Sequence, residues 1–346
     1  MVAAASDWVP AGIDDVDATW LARALDRDVT GVRAERIAMD SGFSSLLYRL
    51  HLTGNDVPAS VVVKLAAQSE ARGAMEMLGG YRRELAFYRH VADRSPLSTP
   101  HVHFALGAVE SADFALVMED LADWENADHL AGLSMHRARL CIKQLAGLHA
   151  WSLTADVPDV FPSIDTPMAR DLFLPVFGMG WQVYLDNSAA HVPPAVARFA
   201  EQFARLAPQA LDVLGSRSML LHGDIRADNL FFDGERLKIV DFQMASRGVG
   251  TADIAYLVSQ GLPTEVRRGQ DETLVREYLD HLGVPGYTFD DAWRHYRFAA
   301  AYLMVLPVIT LVGWDAMPER SRALCLTLVE RAVATIDDID ALEVFR

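Results

Sequence analysis

Cysteine is scarce. Cys141 and Cys325 stand far apart and form no metal or redox spacing, which fits a reduced, cytoplasmic setting. A membrane-spanning run is also missing. The uncharged stretch Phe298 to Trp314 is 17 residues long and interrupted by Pro307. It falls short of the roughly 20 residues a span needs, so a buried helix is expected there and no membrane insertion. Met1 to Pro10 has neither a basic segment nor a long apolar one, so no signal peptide is expected. Positive charge is in deficit. Lys and Arg number 31 against 47 Asp and Glu, a net charge of −16. That balance argues against nucleic acid or an anionic membrane as partner. Internal repeats and low-complexity blocks are absent, and nothing in the composition speaks to oligomeric state.

What is present is enough for a large core. The chain has 346 residues, 51% of them hydrophobic, a length that suggests two or so domains or lobes. One stretch, residues 221 to 243, organises the rest. Leu230, Phe231 and Phe232 form a short apolar run, Asp233-Gly234 supplies a tight turn, and Leu237, Ile239 and Val240 give a returning strand. Asn229 precedes the first strand and Asp241 follows the second. In an antiparallel hairpin those ends return side by side. The turn thus brings together an amide oxygen and a carboxylate, both hard oxygen ligands suited to Mg²⁺. Asp224, in a His-Gly-Asp loop five residues before Asn229, is left beside them as a proton acceptor.

His222, Asp224, Asn229 and Asp241 reproduce the spacing of a kinase catalytic loop followed by a DFG-like triplet. The text HGDIRADNLFF, then IVDFQ and ASRGVGTADIAYLVSQGL, resembles the aminoglycoside phosphotransferase family, and within it the ecdysteroid-kinase-like branch. The resemblance covers about residues 35 to 310 and is strongest from 220 to 260. It implies an α+β, bilobal, protein-kinase-like fold. A small N-terminal lobe, residues 1–118, would carry an antiparallel sheet and one key helix. A larger helical C-terminal lobe, residues 119–346, would hold the catalytic loop and acceptor-site helices at about 125–215.

The N-terminal pattern agrees. Strands are expected over Val32 to Met39, Leu46 to Leu52, Ser60 to Leu65, Val102 to Val109 and Phe114 to Met118. A helix is expected over Gly73 to Asp93, with Met77, Tyr81, Leu85 and Tyr88 as its apolar stripe. The turn Ser41-Gly42-Phe43-Ser44 can lay backbone N–H groups over phosphates. Its single Gly departs from the Gly-rich loop of protein kinases. Lys64 ends a buried Val-Val-Val run, so it needs a counter-charge or a phosphate. By resemblance, Lys64 holds the nucleotide's phosphates and Glu84 pairs with it, Glu76 being the competing partner. Glu119 and Leu121 fall at the inter-lobe hinge, where a base would bond to backbone groups. Gln243 replaces the Gly of DFG, which argues against a mobile switch of the protein-kinase kind.

Helices dominate from Ser134 onward. They are expected at Pro193 to Leu214, Glu265 to Leu282, Phe289 to Val312 and Pro318 to Ile339. His149 reads as a packed structural histidine. Asp253 either caps its own helix or, as in the family, braces the catalytic-loop backbone.

Phosphoryl transfer requires an in-line acceptor, metal on the phosphates and positive charge where negative charge collects. Asp224 would accept the proton of a substrate hydroxyl. Asn229 and Asp241 would hold Mg²⁺. Arg226 would contact the γ-phosphate or pair with Asp228. The cofactors implied are ATP, with GTP left open as the alternative, and Mg²⁺. The partner implied is a hydroxylated small molecule. A protein kinase is disfavoured, because no Ala-Pro-Glu segment follows Asp241. A pseudokinase is disfavoured, because Lys64, Asp224, Asn229 and Asp241 are all present. Eight aromatics between residues 125 and 215, among them Trp151, Phe177, Trp181 and Tyr184, favour a largely apolar acceptor. Aminoglycoside phosphorylation is the alternative, for which Asp337, Asp338, Asp340 and Glu343 would receive amines.

Overall fold

Alternating apolar residues in the N-terminal third build a five-stranded antiparallel sheet. The computed structural model describes residues 8–37, 45–67, 70–107 and 113–346. Its first unit comprises Met1–Arg94, Ser98–Trp124 and Lys238–Met244. Here lie α1 (Ala18–Leu25), β1 (Asp28–Ile37), β2 (Ser45–Asn55), β3 (Ser60–Ala66), α2 (Glu70–Met77), α3 (Gly80–His90), β4 (Val102–Gly107) and β5 (Phe114–Glu119). The strand order is β1-β2-β3-β5-β4. The sheet is buried where period-2 alternation predicts: Leu50, Val61, Val63, Ala115 and Val117 pack with Trp20 and Leu21 of α1. Each buried Val or Leu among them contributes about 1.5–3 kcal/mol on leaving water. Asp17 accepts the Trp20 N–H at 2.7 Å and sets where α1 begins.

The expected helix from Gly73 to Asp93 is two helices. Gly79 takes a left-handed φ of 69° and breaks the ladder. Met77, assigned to the apolar stripe, is consequently 76% exposed, while Tyr81, Leu85 and Tyr88 are buried in α3. The turn residues Ser41, Gly42, Phe43 and Ser44 lie outside the described residues.

The second unit comprises Ser95–Leu97, Glu125–Leu237 and Ala245–Arg346. It contains β6 (Glu125–Asn126), α4 (Met135–Ser152), α5 (Leu174–Asn187), α6 (Pro194–Glu201), α7 (Phe203–Leu214), β7 (Met219–Leu221) and β8 (Leu230–Asp233). The turn at Gly234, φ 58°, leads into β9 (Arg236–Ile239), along which the chain returns to the first unit. Next come β10 (Ser246–Gly248), α8 (Thr251–Gly261), α9 (Thr264–Arg267), α10 (Asp271–Leu282), α11 (Phe289–Tyr302), α12 (Val305–Thr310) and α13 (Glu319–Asp338).

Three of the long helices read from the sequence are broken. Gln202 separates α6 from α7, the left-handed Gly269 lies between α9 and α10, and α11 stops at Tyr302 ahead of α12, which contains Pro307. One helical run, Phe289–Ala316, is long and apolar enough to cross a membrane by length and composition; 61% of its most apolar window is buried in the protein. Every residue of α8 is buried, which makes it the central helix of this unit.

Candidate active site

The first unit gathers three of the expected site residues around one ammonium. β3 places Lys64 at its buried end, 5% exposed. Its Nζ lies 2.8 Å from the Glu84 carboxylate and 3.1 Å from that of Asp241. Burial opposes the charge on Lys64, but Asp241 and Glu84 outweigh it and raise the lysine pKa. Burial, aided by the nearby charge of Asp241, pushes the Glu84 carboxyl upward against the pull of Lys64. Glu76 is exposed, so the competing pairing does not form. Asp241 has a left-handed φ of 70°, a conformation a non-glycine residue holds only where its surroundings impose it. Its neighbours supply that constraint. Phe242 stacks on Phe87 of α3 at 3.5 Å between centroids. Gln243, buried, donates to Ser45 Oγ at 2.7 Å and to Glu84 at 3.2 Å. The residue that departs from DFG thus ties its segment to α3.

Glu119 and Leu121 frame a short connection after β5. The Glu119 N–H donates to the His101 carbonyl at 2.8 Å, and the Leu121 carbonyl accepts from Trp124 N–H at 2.9 Å. Asp120, between them, was not anticipated from the sequence. Its carboxylate accepts from Arg49 at 2.8 Å, Ser60 at 2.6 Å and the Ala122 N–H at 3.1 Å, and so fixes the backbone of this connection to β2 and β3.

The second unit holds the loop 222–229. Its backbone hangs on one carboxylate: Asp253 accepts the N–H of His222 at 2.7 Å and that of Gly223 at 3.0 Å. The bracing role applies, therefore, and no side-chain cap forms on α8. His149 steadies Asp253 from α4 at 3.2 Å and meets Tyr278 at 3.0 Å, a packed histidine as expected. Gly250 permits this approach, since a Cβ there would stand 2.0 Å from the Tyr278 hydroxyl. Burial would raise the Asp253 carboxyl, but the His149, His222 and Gly223 groups outweigh it and hold it below the ordinary 3.8.

A prediction follows from this geometry. Asp253→Ala leaves buried donors without an acceptor, at about 1–3 kcal/mol each. A loss of roughly 3 kcal/mol or more is expected in chemical denaturation at neutral pH. Because the folded carboxyl is depressed, its contribution is present above pH 3.8 and fades as pH falls through the folded value. The gap between wild type and Asp253→Ala should narrow toward that limit. An equal gap at every pH would refute the role.

At the tip of the loop, Asp224 faces two donors. Arg226 Nε lies 3.0 Å away and the Tyr256 hydroxyl 3.3 Å away. Of the two roles anticipated for Arg226, a contact to the γ-phosphate or a pairing with Asp228, the second is replaced by a pairing with the candidate base itself, while Asp228 accepts the His129 N–H at 3.1 Å. Burial and the charge of Asp224 raise the Tyr256 pKa, so the phenol stays protonated and donates. Asn229 donates its Nδ2 to the Asp224 carbonyl at 2.8 Å. That bond fixes the amide's orientation and leaves Oδ1 as the atom suited to a metal. His129 is a second residue the sequence did not reveal. It is 1% exposed, and its Nδ1 accepts the Ala227 N–H at 2.7 Å. Burial first, then Arg226 and Arg331, push its pKa well down, so the ring is neutral. Tyr256 and His129 carry no spacing signal; only packing brings them to the loop.

Two expectations about the acceptor region change. Phe177, Trp181 and Tyr184 are core: Phe177 stacks on Phe203 at 3.8 Å, and all three are at most 6% exposed. Two of the four C-terminal acids are engaged as well. Asp338 pairs with Arg267 and Arg268, and Glu343 with Arg297 and Arg346.

This fold and this loop define a protein-kinase-like phosphotransferase. Residues 35–297 match the phosphotransferase enzyme family (APH), and the chain belongs to that family. An uncharacterised kinase-like protein of Caenorhabditis elegans is 28% identical over 106 residues, a match spanning 29% of this chain and 28% of that relative's length. Among solved structures, a choline kinase from Cryptosporidium parvum Iowa II superposes with a TM-score of 0.56 at 12% identity, covering 89% of this chain and 90% of that one. An aminoglycoside 2′-phosphotransferase variant bound to GDP superposes with a TM-score of 0.55 at 15% identity, covering 89% and 93%. At such identities the likeness is one of fold.

Proposed function

We propose that the chain is a small-molecule kinase that moves the γ-phosphate of a nucleoside triphosphate, ATP in the first instance, to a substrate hydroxyl. The observation that carries this reading is the buried Lys64 held between Glu84 and Asp241, with Asp241 in a constrained backbone conformation. A lysine so held is positioned for phosphates rather than for solvent. GTP is compatible too, and the related aminoglycoside enzyme bound to GDP is in keeping with that. The Asp241 carboxylate and the Asn229 Oδ1 are oxygen donors that fit Mg²⁺, which would neutralise charge on the phosphates when bound. Asp224 orients the acceptor oxygen and takes its proton. Tyr256 holds that carboxylate in place, and Arg226 supplies positive charge toward the transferring group. The setting is proposed to be cytoplasmic, in keeping with the two buried free cysteines.

For the acceptor we favour a hydroxylated, largely apolar molecule over an aminoglycoside. The support is electrostatic and does not come from the aromatics. Asp338 and Glu343 are paired with arginines, and Arg226 balances Asp224. A polyamine would have to displace those arginines. The expected result is saturable, metal-dependent phosphorylation of sterol- or polyketide-type alcohols, scored in a panel alongside choline and kanamycin-type substrates. Micromolar Michaelis constants for kanamycin-type substrates, with no turnover of apolar alcohols, would reverse the preference.

A further inference from the structure

The turn that carries Asn229 is too short to hold itself. It is a single 3₁₀ turn, Ala227–Asn229, closed by the Leu230 N–H on the Ala227 carbonyl and, at 3.0 Å, by the Asn229 N–H on the Arg226 carbonyl. So short a turn fixes its torsions for very few internal bonds, and its shape depends on partners outside it. One segment, residues 126–129 between β6 and α4, supplies them on both sides of Asn229. The Ala227 N–H donates to His129 Nδ1 at 2.7 Å. Asp228 accepts the His129 N–H at 3.1 Å on its carboxylate and the Asn126 Nδ2 at 2.8 Å on its carbonyl. The Leu230 carbonyl accepts the Ala127 N–H at 3.0 Å and the Asn126 Nδ2 at 3.2 Å.

This bracket is itself anchored. Arg331 of α13, 7% exposed, donates to the carbonyls of His129 and Leu130, each at 2.8 Å, and to that of Gln260 near the end of α8 at 3.1 Å. Within the bracket the His129 ring makes one hydrogen bond. It is buried and neutral, Nδ1 accepts from Ala227, and Nε2 has no hydrogen-bond partner among the described residues. An apolar side chain would fill that space without burying an unpaired donor. What the histidine adds is the acceptor for Ala227.

We propose that His129 and Asn126 are positioning residues for metal binding: by fixing Ala227, Asp228 and Leu230 they aim the Asn229 Oδ1, whose companion Nδ2 is held by the Asp224 carbonyl. The inference rests on the reading of Asn229 as a Mg²⁺ donor. Groups that orient a metal ligand from behind carry about 10–100-fold of metal affinity. Neither residue touches the nucleotide or the acceptor in this role; each acts through the backbone of the turn.

The test follows binding of a non-hydrolysable ATP analogue to the full chain by calorimetry, across a Mg²⁺ titration and without metal, so no turnover is needed. Wild type is compared with His129→Leu, His129→Asn, Asn229→Ala and the double variant Asn229→Ala/His129→Leu. An Asn amide oxygen can accept where Nδ1 accepts; Leu cannot. The Mg²⁺ concentration at half-saturation should rise about tenfold in His129→Leu. It should return to within a few-fold of wild type in His129→Asn, while affinity without metal stays unchanged throughout. In the Asn229→Ala background, His129→Leu should add nothing, because the atom it aims is gone. An equal rise in both His129 variants, or a further rise in the double variant, marks a merely structural residue and overturns the proposal. An effect of Asn229→Ala with none of His129→Leu overturns this inference alone. No effect of Asn229→Ala removes Asn229 as a metal donor, and this inference with it. Should His129→Leu fail to fold, Asn126→Ala decides, since Asn126 is exposed: the same rise is expected, and an unchanged Mg²⁺ requirement overturns the proposal.

Discussion

Replacing Asp224 by Asn is expected to lower turnover by roughly 10²–10⁴-fold, the range a general base contributes, while nucleotide affinity stays within a few-fold. The loop itself should survive. Its geometry rests on backbone bonds that the substitution leaves alone: Asp224 N–H to His222 Nδ1 at 3.2 Å, and the Asp224 carbonyl to Asn229 at 2.8 Å. What is lost is the ability to take a proton and the charge that faces Arg226. Calorimetry with nucleotide and metal, beside steady-state rates, separates the two effects. Near-normal turnover in Asp224→Asn would sink the assignment of the base. A proportionate loss of nucleotide binding would place Asp224 on the nucleotide side instead.

The second large effect concerns Glu84. Glu84→Ala removes one of two carboxylates from a buried lysine, and one acceptor from Gln243. Breaking a buried pair costs about 3–5 kcal/mol, because the remaining ion stays desolvated. Asp241 at 3.1 Å offsets part of this, so the lower end is expected. The Michaelis constant for nucleotide should rise or kcat should fall, since Lys64 is no longer held from the helix side. Lys64→Met combined with Glu84→Leu should be more stable than Glu84→Ala alone, as it removes both charges together. Denaturant midpoints measure both. If Glu84→Ala costs less than about 1 kcal/mol, the pair behaves like a surface ion pair and the cluster has been misread.

Much of this molecule is legible in the amino-acid order because the signals are local. A β-branched run followed by Lys64 specifies a buried strand with a charge at its end. The Asp233-Gly234 turn fixes a hairpin whose ends are Asn229 and Asp241. Their spacing from Asp224 carries the resemblance to a phosphotransferase. The choice of Glu84 over Glu76 was weaker, and the break at Gly79 decided it by leaving Glu76 on an exposed helix. Helix ends within long apolar-periodic stretches were not legible. A single left-handed glycine at 79 or 269 interrupts a ladder without disturbing the pattern on either side.

The sequence alone therefore determined the class of chemistry and the residues proposed to bear it, because their types and offsets are conditions of the reaction. Only the tertiary structure decided what surrounds them. Arg226 meets Asp224 rather than Asp228, Asp253 holds the loop rather than a cap, and Tyr256 and His129 join the site from residues with no motif. The aromatic helix turned out to be core, and among the described residues the buried Arg83 Nε has no hydrogen-bond partner. The physical reason is the range of the interactions. Spacing along the chain encodes neighbours within a turn or a hairpin, whereas burial and side-chain pairing depend on which distant segments pack together, and composition does not specify that.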